Sequence, residues 1–222
     1  MARNKNPEIT INRILDTSMD LFLKKGYDNT TIQDIVDALG DLSKGAIYHH
    51  FKSKEEIIEA VIPRLYDSSD SQLLKIKEST SYTGLEKLKQ TLIISLKNPG
   101  QEKLAMAAPN LMKNPRFLTQ QLYNTIEDIV PKLIEPIIRE GIKDGSIVSD
   151  NSKEVAETFM ILMNVWINPA IFHSTKEEFK NKFTFFKKLV EDLGIPVLDD
   201  NVFRVLERYR SIIERERKKK LS

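Results

Sequence analysis

A chain of 222 residues and 25.6 kDa, 41% hydrophobic and 30% charged, has apolar mass for one large domain or for a small domain joined to a larger one. It holds no cysteine, which excludes disulfides, thiolate metal sites and cysteine nucleophiles and accords with a reducing compartment. A net charge of +2 says little about partners, and 8 Gly with 9 Pro favour long helices over many short strands.

The first helix is expected over about Pro7 to Lys25. Asn6 stands at the N-cap and Pro7 at the first helical position, where a missing N–H costs nothing. Ile11, Ile14, Leu15 and Phe22 share one face, and Gly26 after Lys24-Lys25 is a stop signal. The second helix is expected from Thr31, with Thr30 and Gln33 as a capping box and Gly40 as its end. Ser43 caps a third helix, Lys44 to Phe51, and Ser53 with Glu56 opens a fourth that Pro63 should kink or end. Further on, Thr83 with Glu86 opens a helix to about Leu96, and another covers about Gln101 to Lys113, disturbed by Pro109. A long segment from Pro115 to about Lys143 should kink at Pro131 and Pro136. Residues 152–168 form an apolar helix, Thr175 with Glu178 caps one to about Leu193, and Asp199 caps a last one to about Lys219. No strand pattern and no internal repeat is visible. The fold class is therefore all-α.

The N-terminus is polar, without the apolar region of a signal peptide. The longest apolar run, Phe159 to Ile167, is broken by Asn164 and too short to cross a bilayer. A cytoplasmic chain without a membrane partner is the expectation.

The stretch Ile14 to Ile62 reads as three short helices with a tight second connection, followed by a longer helix. Two short helices joined by a turn containing Gly are the layout of a helix-turn-helix. The third helix carries Lys44, Gly45, Tyr48, His49 and His50 around the apolar Ile47 and Phe51, a surface able to bring donors and flat rings to a major groove. Bulk charge does not support this reading, because residues 1–56 hold eight Lys/Arg and nine Asp/Glu. Placement of the few cations must carry it. Arg204 to Lys220, with eight Lys/Arg and three Glu, is the basic end of the chain. It reads first as the solvated end of an amphipathic helix, with nonspecific attraction to DNA as a secondary effect.

These motifs resemble the DNA-binding domain of the TetR (tetracycline repressor) family. The matching features are Lys25-Gly26-Tyr27, Thr30-Thr31-Ile32, Ile35-Val36 and above all the run Ser43 to Glu56. The resemblance covers roughly the first quarter of the chain. The connection Gly40-Asp41-Leu42-Ser43 is one residue longer than the family pattern, and Asp41 adds negative charge there. The resemblance implies a three-helix DNA-binding domain over 1–56 and a helical ligand-binding and dimerisation domain over 57–222. It implies DNA contacts from Thr31, Lys44, Gly45, Tyr48, His49, His50 and Lys54, with Tyr48 along the sugar-phosphate and Lys54 toward the backbone. Each has a plainer alternative: solvated lysines, a simple cap at Thr31, partial core packing for Tyr48. His49 and His50 do not suit one metal ion, because adjacent helical residues point about 100° apart.

The implied partners are palindromic operator DNA, a second copy of the chain through the helices near 152–170 and 175–193, and a small-molecule effector of unread chemistry. Met106, Met112, Phe117, Met163 and Trp166 are the candidate effector lining, with ordinary core as the alternative for each. No cofactor, metal or catalytic set is expected: the sequence has no metal-ligand cluster, Gly-rich phosphate loop or nucleophile elbow. The function expected is a ligand-responsive repressor. The alternatives are an activator or a ligand-independent regulator, and more remotely an enzyme or helical adaptor.

Overall fold

The computed structural model of the chain describes residues 7–64, 70–111 and 115–221, apart from the side chains at 62, 70, 107–111, 116, 220 and 221. All regular structure among them is helical. In chain order the helices are α1 (Pro7–Lys25), α2 (Ile32–Leu39), α3 (Lys44–His50), α4 (Lys54–Arg64), α5 (Asp70–Glu78), α6 (Gly84–Lys97), α7 (Pro99–Leu111) and α8 (Pro115–Asn124). They continue with α9 (Glu135–Asp144), α10 (Ser152–Ile161), α11 (Lys176–Asp192) and α12 (Asp200–Leu221).

Most helix starts follow the local sequence. Thr83 and Thr175 form full capping boxes with Glu86 and Glu178, and the Asp199 carboxylate accepts from the N–H groups of Asn201 and Val202. The second helix differs from expectation by one residue. Its capping box is Thr31 with Asp34, because Thr30 is buried and donates its hydroxyl to Gly26 O at 2.7 Å. At the start of α4, Ser53 Oγ accepts from Glu56 N–H, but the Glu56 carboxylate takes the N–H of Lys52.

The prolines act differently from the expected kinks. Helix α7 runs past Pro109 to Leu111. Between α8 and α9 the chain stays helical but widens to a π-helix over Thr125–Ile134, with Pro131 inside it. Proline has no N–H for the ordinary i→i−4 bond, and a wider register accommodates that loss without a break. A second π segment, Leu162–Trp166, closes α10.

Two cores result. The N-terminal one joins Ile14, Leu15 and Phe22 of α1 with Ile35, Ile47, Ile57, Ile58 and Val61. It therefore runs across residue 56 into α4, and it takes in Leu104 of α7 and Phe117 of α8. The larger body core gathers α6, the π segments, α9, α10, α11 and α12. At its tightest point α6 crosses α9. A Cβ on Gly84 would lie 2.1 Å from Gly141 N and 2.7 Å from Ile137 O, so only glycine permits this approach. The Gly84 N–H donates to the Asp144 carboxylate at 2.8 Å. Close by, the buried Lys87 ammonium donates to both Glu140 oxygens, at 2.6 and 2.7 Å, and to Lys77 O. Burying that charge is tolerable only because all three donors are used.

Helix α7 ties the N-terminal core to α12 through a small separate cluster. Leu104 enters the N-terminal core, while Ala105 meets Ile212 and Ile213 of α12. Arg208 of α12 pairs with Glu102 at 2.8 Å, and Tyr209 donates its hydroxyl to Leu96 O.

Candidate nucleic-acid interface

Helix α3 spans only seven residues, too few to be stable alone in water. It is held by Ser43, whose hydroxyl accepts from Ala46 N–H, and by Ile47, which is fully buried. Burying an isoleucine of this kind contributes about 1.5–3 kcal/mol. With Ile47 fixed inward, the helical period turns Lys44, Gly45, Tyr48 and His49 to the exposed side and leaves His50 half-buried. Tyr48 is 45% exposed although it is a large aromatic residue. The Lys44 ammonium stands 6.0 Å from the centre of its ring, and the His49 and His50 rings meet edge to face. Among the described residues no three of His, Asp and Glu gather as a metal set.

Gly45 is exposed, and a Cβ there would meet only Ser43 Oγ, at 3.8 Å. Its backbone lies outside the positive-φ region. Nothing inside the fold requires a glycine here, and one within a helix costs about 1 kcal/mol relative to alanine.

The longer connection before α3 is built from two devices. Gly40 ends α2 at φ +75°, a region that disfavours side chains. Asp41 then points back to α1, where Arg13 grips its carboxylate with two bonds of 2.6 and 2.9 Å. The negative charge that looked adverse in the sequence is thus neutralised. The pairing holds the Asp41 carboxyl below its usual range. Arg13 lies 28 positions away, and no local pattern announces it.

Thr31 and Lys54 have roles inside the fold. The Thr31 hydroxyl accepts from Asp34 N–H and donates to the Asp34 carboxylate. Asp34 is held well below the ordinary carboxylate range, first by Lys25 and then by the Thr31 N–H and hydroxyl. The start of α2 thus already carries an anionic group. Lys54 donates to Tyr27 O at 2.7 Å and Thr30 O at 2.9 Å, and its ammonium lies 4.1 Å from the centre of the Tyr27 ring. Tyr27 in turn donates to Glu55 at 2.9 Å. Lys54 is a strut that fixes the turn before α2, with two of its three donors committed to carbonyls. At the other end of α4, Arg64 donates to Asp16 at 2.7 Å and to Asn12 O, tying α4 back to α1.

Of the candidate effector residues that are described, Met163 and Trp166 share one core while Met106 and Phe117 lie elsewhere. Phe117 is buried in the N-terminal core, and Met106 is exposed on α7. Met163 and Trp166 pack against the body core, and Met112 lies outside the described residues. Trp166 contacts the rings of Phe185 and Phe186 on α11, and Lys182 lies over both Trp166 and Phe172. This corner exposes apolar rings: Phe185 is 62% exposed and Phe172 45%. Large exposed apolar side chains grouped in this way mark a contact surface. Among the described residues, no helix is long and apolar enough to cross a membrane.

Residues 14–61 match the model of the family described as bacterial regulatory proteins, tetR family. Over 174 residues the chain is 24% identical to the biofilm operon icaADBC HTH-type negative transcriptional regulator IcaR of Staphylococcus aureus, spanning 77% of this chain and 91% of that protein. It is 32% identical over 152 residues to the HTH-type transcriptional repressor KstR2 of Rhodococcus jostii, spanning 66% of this chain and 72% of that one. Among solved structures, a TetR transcription regulator from Haloarcula marismortui superposes with a TM-score of 0.62 at 18% identity, covering 84% of this chain and 97% of its own. A transcriptional regulator from Saccharomonospora viridis, solved in complex with choline, superposes at 0.58 with 22% identity, covering 82% and 96%.

Proposed function

The chain belongs to the TetR family of bacterial regulatory proteins and is a DNA-binding transcriptional regulator, and from that premise we propose a repressor that grips a palindromic operator as a homodimer and answers to a small-molecule effector. The observation that carries the reading is α3, a short helix fastened by Ser43 and Ile47 that turns Lys44, Gly45 and Tyr48 outward. In the major groove Tyr48 and Lys44 reach phosphate and base edges, while the bare Gly45 backbone allows close approach. Lys52 is exposed and adds a phosphate contact at the edge.

Dimerisation is supported by the apolar corner of Trp166, Phe172 and Phe185. A single seven-residue reading helix covers too little DNA for specific binding, so two heads related by a twofold axis fit a palindrome. We assign effector response to the body. Helix α7 joins it to the head through Leu104, so a shift in the body reaches α1 within one helix. The π segments are the natural places for such a shift, since they often mark functional sites. By linkage, an effector that weakens DNA binding itself binds the DNA complex more weakly.

The test is operator binding by fluorescence anisotropy at fixed salt. Tyr48→Ala and Lys44→Ala should each weaken binding by about 1–3 kcal/mol while leaving the thermal midpoint near wild type. Unchanged affinity in both would remove α3 as the reading helix.

A further inference from the structure

The end of α12 borders a groove lined by none of the side chains assigned above to α3 or to the Trp166–Phe185 corner. It is an open cleft of about 850 Å³ between the start of α11 and the last turns of α12. That volume suits a small molecule, whose sites run to about 300–1,000 Å³. Lys176, Arg210, Arg215, Lys218 and Lys219 line it, against one carboxylate, Glu214. On a merely solvated helix end, cations radiate into water. Here a second element supplies Lys176 from the other side, so the charges converge on one concavity.

Internal pairing leaves part of this charge unspent. Glu214 is already held by Arg217 at 3.3 Å. Arg210 forms a fixed wall, its guanidinium bound to Glu207 and to Ser174 O. Arg215 and Lys219 share the single carboxylate of Glu216, at 3.7 and 2.8 Å. Among the described residues Lys176 and Lys218 make no ion pair within 4.0 Å. Thr175, also in the lining, caps only the N–H of Glu178, at 3.2 Å. The first turn of α11 already carries the Glu178 carboxylate, which takes the Thr175 N–H and hydroxyl, so the cations are what is left to hold an anion.

We propose that this groove binds a small molecule carrying at least two anionic groups, phosphate or carboxylate. One group lies against Lys176, and the other against Arg215 and Lys218 on α12. The occupied groove would sit one helix away from the head, since Ile212 and Ile213 of the same α12 segment pack on Ala105 of α7.

The experiment is calorimetric titration of the full-length protein, free of DNA, with pyrophosphate and with citrate. Its readout is therefore independent of the operator-binding reading. The wild type should bind at least one probe with a Kd below about 1 mM at low salt. The variant K176Q/K218Q should lose about tenfold or more, since each charge-assisted contact is worth more than an ordinary hydrogen bond. The control K132Q/K153Q removes two charges elsewhere and should bind as wild type does, and unchanged circular dichroism shows that the variants fold. The proposal is overturned if neither probe binds, if K176Q/K218Q binds like wild type, or if the control loses as much. It is also overturned if K176Q/K218Q lowers the salt slope of operator binding, because the groove would then be a seat for the DNA backbone.

Discussion

The head and the body differ in how far apart in sequence their decisive contacts lie. The head is written mostly in local signals: the Gly26 stop, the Thr31–Asp34 box, the Gly40 turn and the Ser43 cap all act within about one helical turn. The body depends on the α6–α9 crossing at Gly84 and Gly141 and on the Lys87–Glu140 pair, 53 positions apart. Local signals recur in recognisable order and make a family motif. The family model matches residues 14–61, the segment in which these signals follow one another.

The largest effect should come from breaking the body at its tightest point. Gly84→Val drives methyl groups into the Gly141 backbone, which has nowhere to go, and should cost about 3 kcal/mol or more. Trp166, the single tryptophan, sits against the body core and reports its unfolding by fluorescence in urea. An unchanged midpoint would mean that the two helices are not pressed together as described.

A smaller effect is expected at the body's exposed corner. Phe185→Lys puts a charge in place of a ring that is 62% exposed and meets Trp166 edge-on. The protomer should keep its helical content while light scattering at micromolar concentration reports a monomer, a loss of about 2 kcal/mol or more in association. A variant that stays dimeric would exclude this corner from the interface.

The smallest change in stability should come from the head, and it should have the opposite sign to the change in function. Gly45→Ala meets only Ser43 Oγ and should leave the thermal midpoint unchanged or raise it, by at most about 1 kcal/mol. Operator affinity should fall, because the added methyl stands where DNA approaches. Affinity that held or rose with stability would show that Gly45 has no role at the DNA surface.

Much of the candidate interface was legible beforehand. Lys44, Gly45, Tyr48 and His49 are exposed on one short helix, as the period and the Ser43 cap indicate. The role of Lys54 was not legible, because its acceptors Tyr27 O and Thr30 O lie 27 and 24 positions away. The same holds for Arg13, which turns Asp41 from a liability into an anchor. The effector residues were chosen by chemical type alone. Methionine and phenylalanine suit a core and a pocket equally, and only the packing sends Phe117 to the head and leaves Met106 exposed.

The sequence by itself determined the helical class, most helix starts and the exposed face of α3, since caps, glycines and apolar period act through a few neighbouring residues. Tertiary structure alone decided that Leu104 and Phe117 complete the head core, that Pro131 widens a helix instead of breaking it, and that Lys176 faces the basic end of α12. Those outcomes depend on which surfaces meet once the helices have formed. Burial and steric fit between distant segments settle that, and no window of the sequence contains both sides of such a contact.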